Sequence, residues 1–291
     1  MRVVVAGSSG LIGTALVARL RKDGTEVIRL VRHTPNAPDE RHWDPPAGHI
    51  DDDALDGADA VVNLCGVGIA DRRWSQARKQ LLYDSRIEPT EVISAAVAEH
   101  GVPVLINASA VGIYGDTGAA TADESTPAGH GFLPELCAHW EAATERAGAR
   151  VVLARTAPVF AHRGGLLGPL RPLFFLGLGA KLGGGAQYMP WVHLDDHIDA
   201  LVFLLRNDIA GPVNVASPAL TTNAEFTKAF GRAMHRPSVF TVPTFALSLM
   251  LGELANEALV SQRIAAKVLQ DNGFHFTYSD IDDALAAVQN R

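Results

Sequence analysis

Cysteine is almost missing from this chain. Cys65 and Cys137 are the only two, so no disulfide framework is implied and a reducing compartment is the default. Positive charge is short as well. A formal net charge of −7 argues against nucleic acid or an anionic membrane as the main partner, since both need a basic face. That total does not exclude a local cationic pocket for a small anion. Long apolar runs are absent too: FALSLMLGELANEALV is interrupted by Glu253 and Glu257 and is too short for a membrane span. The first residues, MRVVVAGSSG, enter a strand-like run at once, without the apolar segment and cleavage site of a signal peptide. These absences predict a cytoplasmic protein with a small-molecule partner, no nucleic acid and no membrane, and they leave a homodimer open.

What is present has a strong pattern. The 291 residues are 47% hydrophobic and 20% charged, the balance of a globular protein with ample material for a core. β-branched runs at 3–6, 26–31, 59–64, 102–109 and 150–156 alternate with helical stretches, the first carrying Ile12, Leu16 and Leu20 and the later ones near 75–99 and 133–147. Strands separated in this way predict an α/β fold, a Rossmann-like doubly wound parallel sheet with helices on both faces. After about residue 160 the texture changes. Residues 164–185 are rich in glycine and apolar side chains and read as a loop with broken helical turns. Helices are expected near 195–207, 223–235, 244–259, 261–270 and 280–289. The expected organisation is a nucleotide-binding domain over 1–160, its sheet completed by segments from 188–216, and a smaller, mostly helical substrate domain over 161–291.

AGSSGLIG places Gly7, Gly10 and Gly13 directly after the first strand and at the opening of the first helix. Each glycine has its own reason: Gly7 for the tight turn, Gly10 for close approach of a pyrophosphate, Gly13 for packing helix on strand. The free amides of the helix's first turn then face the phosphates. At the end of the second strand, where a carboxylate would bind a ribose 2′-hydroxyl, the chain reads RLVRHT, with no acid before Asp39. Arg32 there can pair with a 2′-phosphate through its planar fork, which favours NADP(H); the alternative is a solvated arginine. DAVVNLCG ends the third strand, and Leu64, Cys65 and Gly66 leave room for the adenosine and pyrophosphate side of the cofactor.

With these motifs the chain resembles the extended short-chain dehydrogenase/reductases of the NAD-dependent epimerase/dehydratase type. Within them it is similar to an atypical epimerase-family group with an extra C-terminal domain of unknown function. The resemblance spans the chain and is carried by GSSGLIG, DAVVNLCG, RRWSQARKQLLYDSRIEPT, SAVGIYG, HWEAA, GGGAQYMPWVHLDD, TTNAEF and GFHFTYSD. It implies that Gly7, Ser9, Gly10, Leu11, Ile12, Gly13 and Arg32 hold NADP(H), and that Leu64 and Cys65 line it. It also implies that Lys79 and Arg86 face it from one side of a helix, and that Val159 passes the nicotinamide. Pro89 puts the continuity of that helix in question, and both cations could instead be solvated.

One part of the resemblance breaks. Such enzymes use Tyr-x-x-x-Lys on the helix after the SAVGIYG strand, the lysine lowering the tyrosine's pKa. Aligned on HWEAA, those places hold Leu133 and Cys137. The chain's four tyrosines, Tyr83, Tyr114, Tyr188 and Tyr278, are followed four residues later by Ile87, Gly118, Val192 and Asp282, so the dyad stands nowhere in the sequence. Cys137, amid Leu136, Trp140 and Ala143, reads as a packing residue. Ser109 and Tyr114 remain as catalytic candidates, against a structural hydrogen bond for each.

HLDDH (193–197) is set aside as a metal site. Asp195 or Asp196 reads as a helix N-cap, and no metal ligand set is expected. NASAVG around Ser109 is not a G-x-S-x-G elbow, which removes a serine hydrolase. Two functions stay open: an NADP(H)-dependent oxidoreductase or epimerase-like enzyme acting on a carbonyl or sugar-like compound, and a non-catalytic NADP(H)-binding sensor or regulatory module.

Overall fold

Residues 1–289 are described in the computed structural model. Strands β1 (Arg2–Ala6), β2 (Glu26–Val31), β3 (Glu40–Asp44), β4 (His49–Ile50), β5 (Ala60–Asn63) and β6 (Val104–Ala110) come first. They are followed by β7 (Thr121–Ala122), β8 (Arg150–Thr156), β9 (Val159–Phe160), β10 (Ala180–Leu182) and β11 (Val192–His193), then β12 (Gly211–Val215), β13 (Phe240–Val242) and β14 (Arg263–Ile264). The helices are α1 (Leu11–Lys22), α2 (Gln76–Glu99), α3 (Phe132–Ala142), α4 (Leu167–Phe175) and α5 (Leu194–Arg206). The last five are α6 (Asn223–Ala233), α7 (Thr244–Leu251), α8 (Leu254–Leu259), α9 (Lys267–Asp271) and α10 (Ile281–Gln289).

Eight strands form one sheet in the order β12-β8-β6-β5-β1-β2-β3-β4. Every pairing is parallel except β3 with β4. The chain winds from β1 outward through β2 and β3, then returns to the other side of β1 through β5, β6, β8 and β12. The strand order therefore reverses at β1, and a crevice opens beyond the carboxyl ends of β1 and β5.

The β-branched runs make fully buried strands because helices cover both faces. On one face Leu16 and Leu20 of α1 meet Leu201 and Leu204 of α5 above Val3, Val5 and Val62. On the other, Ile93 and Val97 of α2 pack on Val4, Ile28 and Leu105. Each such side chain contributes roughly 1.5–3 kcal/mol on burial. The third core lies in the C-terminal half, where Phe160 stacks on Trp191 with centroids 5.0 Å apart and Phe226 and Phe230 of α6 meet Leu285 of α10.

Four expectations need correction. The strands β3 and β4 at the sheet edge were not anticipated. The 164–185 segment contains a helix, α4, with Pro172 inside it. The helix expected over 244–259 is broken at Gly252, whose φ of 63° ends α7. The one expected over 261–270 begins as strand β14, paired with β7, so the second half holds short strand pairs as well as helices. Conversely, α2 runs unbroken through Pro89.

Candidate functional site

The glycine turn connects β1 to α1 at the centre of the crevice. Gly7 has φ +76°, and a Cβ there would stand 2.7 Å from the Leu64 carbonyl oxygen. At Gly13 a Cβ would collide with the Gly7 carbonyl. Gly10 differs: its nearest neighbour would be the Gly7 oxygen at 3.4 Å, an ordinary contact, so the fold tolerates a side chain there and the open space beyond it is what glycine preserves. Gly10 is also the N-cap of α1, and no side chain caps the helix. Among the described residues the amides of Leu11, Ile12 and Gly13 have no protein acceptor, and with the positive end of the helix they form a site for an anion. Leu11 packs against the turn at Gly164 and Gly165, where the Leu166 amide returns to the Val159 carbonyl at 2.9 Å. The glycine turn and Val159 are thus brought to the same mouth.

Arg32 leaves the end of β2 exposed to solvent and, among the described residues, makes no ion pair. The first acid after it, Asp39, is turned away: its carboxylate binds Arg29 at 2.8 Å and also Arg21. The Arg29 hydrogen bond, ahead of the opposing effect of burial, holds the Asp39 pKa below the usual carboxylate value. Asp39 is thus engaged with Arg21 and Arg29, while Arg32 stands exposed at the end of β2.

At the end of β5, Leu64 and Cys65 are half-buried and Gly66 is exposed. The protein around Cys65 pushes its thiol up to about 12, with Arg32 opposing. Arg86 lies directly beneath, 6% exposed. Its guanidinium donates to the carbonyls of Val67 at 2.9 Å and Leu82 at 3.0 Å and lies over the Trp140 ring at 5.1 Å. No carboxylate pairs with it among the described residues, and burial lowers its pKa to about 10. Lys79 sits elsewhere: its ammonium pairs with Glu253 and lies 5.2 Å from the Phe132 ring. Lys79 and Arg86 thus have different partners within the chain.

The catalytic candidates are buried in a network that sequence reasoning missed. Ser109 donates to Glu141 at 2.6 Å, and Glu141 is held by Arg155 through two bonds of 2.8 Å. Arg155 also donates to the Tyr114 hydroxyl at 2.9 Å, and that hydroxyl donates to Asn214 at 2.7 Å. Burial raises the Tyr114 pKa above its ordinary value, more than the Arg155 bond lowers it. Burial opposes the Arg155 charge, yet Glu141 holds its pKa above the usual arginine value. The one signal in the sequence was an arginine inside an otherwise apolar strand, RVVLART, which requires a partner.

Leu133 packs over Gly112, with Cδ1 3.7 Å from where a Cβ would stand. Cys137 is 2% exposed, and burial pushes its thiol up to about 12. Leu133 carries no ionisable group, and Cys137 is a buried thiol in its neutral form.

The polar side chains of HLDDH are bonded within the protein. The N-cap of α5 is His193, not an aspartate: its Nδ1 accepts the Asp195 amide at 3.2 Å. Asp196 instead accepts the amides of Thr277 and Tyr278 at 2.8 and 3.0 Å, tying the late GFHFTYSD segment to α5. His197 bonds the Thr156 hydroxyl at 3.0 Å. Among the described residues, His42, His49 and Asp51 on the β3–β4 hairpin are the three potential ligands that come together, on the far edge of the sheet.

Comparison with known proteins follows this geometry. Residues 3–216 match the NAD dependent epimerase/dehydratase family, and 242–288 match a domain of unknown function, DUF1731. An epimerase family protein of Mycobacterium bovis is 52% identical over 294 residues, covering 99% of this chain and 98% of its own. The crystal structure of human epimerase family protein SDR39U1 (isoform 2) with NADPH superposes with a TM-score of 0.91 at 29% identity, covering 100% of both chains. A nucleoside-diphosphate sugar epimerase from Corynebacterium glutamicum gives a TM-score of 0.83 at 36% identity, over 99% of this chain and 58% of that one.

Proposed function

Because the chain belongs to the NAD dependent epimerase/dehydratase family, we propose that it is an NADP(H)-dependent oxidoreductase or epimerase-like enzyme that works without the Tyr-x-x-x-Lys dyad. The observation that carries this reading is the uncapped α1 terminus beside Gly10, together with an exposed, unpaired Arg32 where a carboxylate would select NAD. Leu11, Ile12 and Gly13 would give their amides to the pyrophosphate, with Gly7, Ser9 and Gly10 shaping the turn. Arg32 would take the 2′-phosphate, and Leu64, Cys65, Gly66 and Val159 would wall the crevice. Arg86, a buried cation lacking a carboxylate, suits an anionic ligand lying over Gly66. Lys79 is left as a bridge to Glu253. The human relative with NADPH bound supports the choice of phosphate-bearing nucleotide.

When bound, the nicotinamide supplies hydride chemistry at its C4 position. The chain's own share is binding, orientation and exclusion of water. Ser109 and Tyr114 both spend their protons on internal acceptors, so in this reading they brace the floor of the site, and the proton for a carbonyl or sugar-like substrate comes from solvent or from the substrate itself. The nucleotide domain comprises 1–160 and the segments of 188–216, with 161–291 closing over the substrate.

The same closed network favours a second reading, an NADP(H)-binding sensor with no turnover. Screening NADPH consumption against aldehydes, ketones and sugar nucleotides separates the two. Turnover with at least one compound, retained in Ser109→Ala and Tyr114→Phe within about tenfold, supports the enzyme with bracing residues. Tight NADPH binding with no turnover across the screen overturns the enzyme in favour of the sensor.

A further inference from the structure

A cavity separate from the crevice lies in the C-terminal half. It is a groove of about 760 Å³ between α6, β10 and β13, within the range of small-molecule sites. Five basic side chains line it, Lys181, Lys228, Arg232, His235 and Arg236, and no carboxylate does. In a chain of net charge −7 that is a local inversion of sign. Two of the five are engaged at the rim: Arg232 holds Asp282 in a bidentate pair at 2.7 Å, and Arg236 donates to the Phe175 carbonyl at 2.9 Å. Lys181, Lys228 and His235 make no ion pair among the described residues.

The groove has a built shape. His235, with φ 52°, is the one non-glycine residue of positive φ among those described, a conformation costing roughly 1–2 kcal/mol. It ends α6 by returning its amide to Arg232 at 2.9 Å, and Arg236 does the same to Gly231. The chain is thereby folded back over the helix, so closely that a Cβ on Gly231 would press on Ser238. This reversal sets the imidazole and the exposed Phe240 ring along the same groove as the lysines. Phe240 is 51% exposed, an aromatic face beside a set of cations.

We propose that this groove binds a phosphorylated small molecule with an aromatic or apolar portion, the phosphate held by Lys181, Lys228 and His235 and the apolar part lying on Phe240. None of these residues belongs to the glycine turn or to the crevice, so the site is separate from the dinucleotide site and stands whether or not the chain turns over a substrate. Lys181 lies on β10 and Lys228 on α6, and an anion between them would fix the two elements to each other.

The probe is 1-naphthyl phosphate, titrated by its fluorescence into protein already saturated with NADPH, with inorganic phosphate as competitor. Saturable binding is expected, weakened tenfold or more in Lys181→Glu/Lys228→Glu and in the exposed single variant Lys228→Glu, and displaced by inorganic phosphate. Arg32→Asp should leave it unchanged. Melting temperature reports whether each variant folds. No saturable binding, or binding that survives both charge reversals in folded protein, overturns the proposal. So does binding lost in Arg32→Asp alone.

Discussion

At the scale of the residue, Arg155 joins Ser109 and Tyr114 into one network. Its guanidinium donates to the Tyr114 hydroxyl and pairs with Glu141, the acceptor of the Ser109 hydroxyl. Glu141→Gln leaves a buried arginine without its counter-charge, which should cost about 3–5 kcal/mol, whereas Ser109→Ala removes one hydrogen bond to a carboxylate, worth about 1.5–3 kcal/mol. Urea denaturation of the two variants should show that order; equal effects would mean the pair is not the anchor. His197 gives a pH signature. Burial pushes its pKa down to about 4 from the ordinary 6.5, so between those values the unfolded chain carries a proton that the folded chain refuses. Its contribution to stability is complete above pH 6.5 and falls with pH to about 4, by roughly 3 kcal/mol in total. His197→Asn should flatten that part of the stability–pH curve. The tight turn at Gly7 and the packing at Gly13 were legible in the sequence because their constraints are local. The network was not, because Ser109 and Glu141 lie 32 residues apart and Tyr114 and Asn214 lie 100 apart, and only the fold joins them.

At the scale of the element, β1, the glycine turn and α1 form a unit whose three glycines fail differently. Gly13→Ala drives a methyl into the Gly7 carbonyl and should lower the melting temperature without any ligand present. Gly10→Ala meets only an ordinary contact at 3.4 Å. It should leave the unliganded melting temperature within a degree or two while weakening NADPH binding by tenfold or more, because its methyl stands where the phosphate must approach. Thermal melts with and without NADPH read both effects. Elements with a clean period were legible: β2 and β8 fall where the β-branched runs placed them. The strand ERHWD was not, because next to the two-residue edge strand β4 it carries polar side chains and lacks the apolar run that marks a central strand. The break between α7 and α8 was masked by an apolar run that reads as one helix, although Gly252 marks the stop.

At the scale of the whole molecule, the parallel sheet brings the ends of β1, β2, β5 and β6 to one edge, and Asp196 ties the 277–278 backbone to α5. No helix among the described residues is long and apolar enough to cross a membrane. The net negative charge is uneven, with an exposed cation at the end of β2 and a basic groove beside α6. The fold class was legible from the alternation of strands and helices alone. That no Tyr-x-x-x-Lys stands in the chain is legible from the positions of four tyrosines, but how Ser109 and Tyr114 are bonded required coordinates. The account rests on a dinucleotide held by main-chain amides at the glycine turn and by Arg32 at its 2′-phosphate. Equilibrium titration of the protein with NADPH and NADH, followed by nucleotide fluorescence, tests this most directly. NADPH should bind at least tenfold tighter than NADH, and Arg32→Asp should remove or reverse that preference, a charge-assisted contact being worth about 1.5–3 kcal/mol. Failure of both nucleotides to bind saturably, or tighter binding of NADH by the unaltered protein, would contradict it.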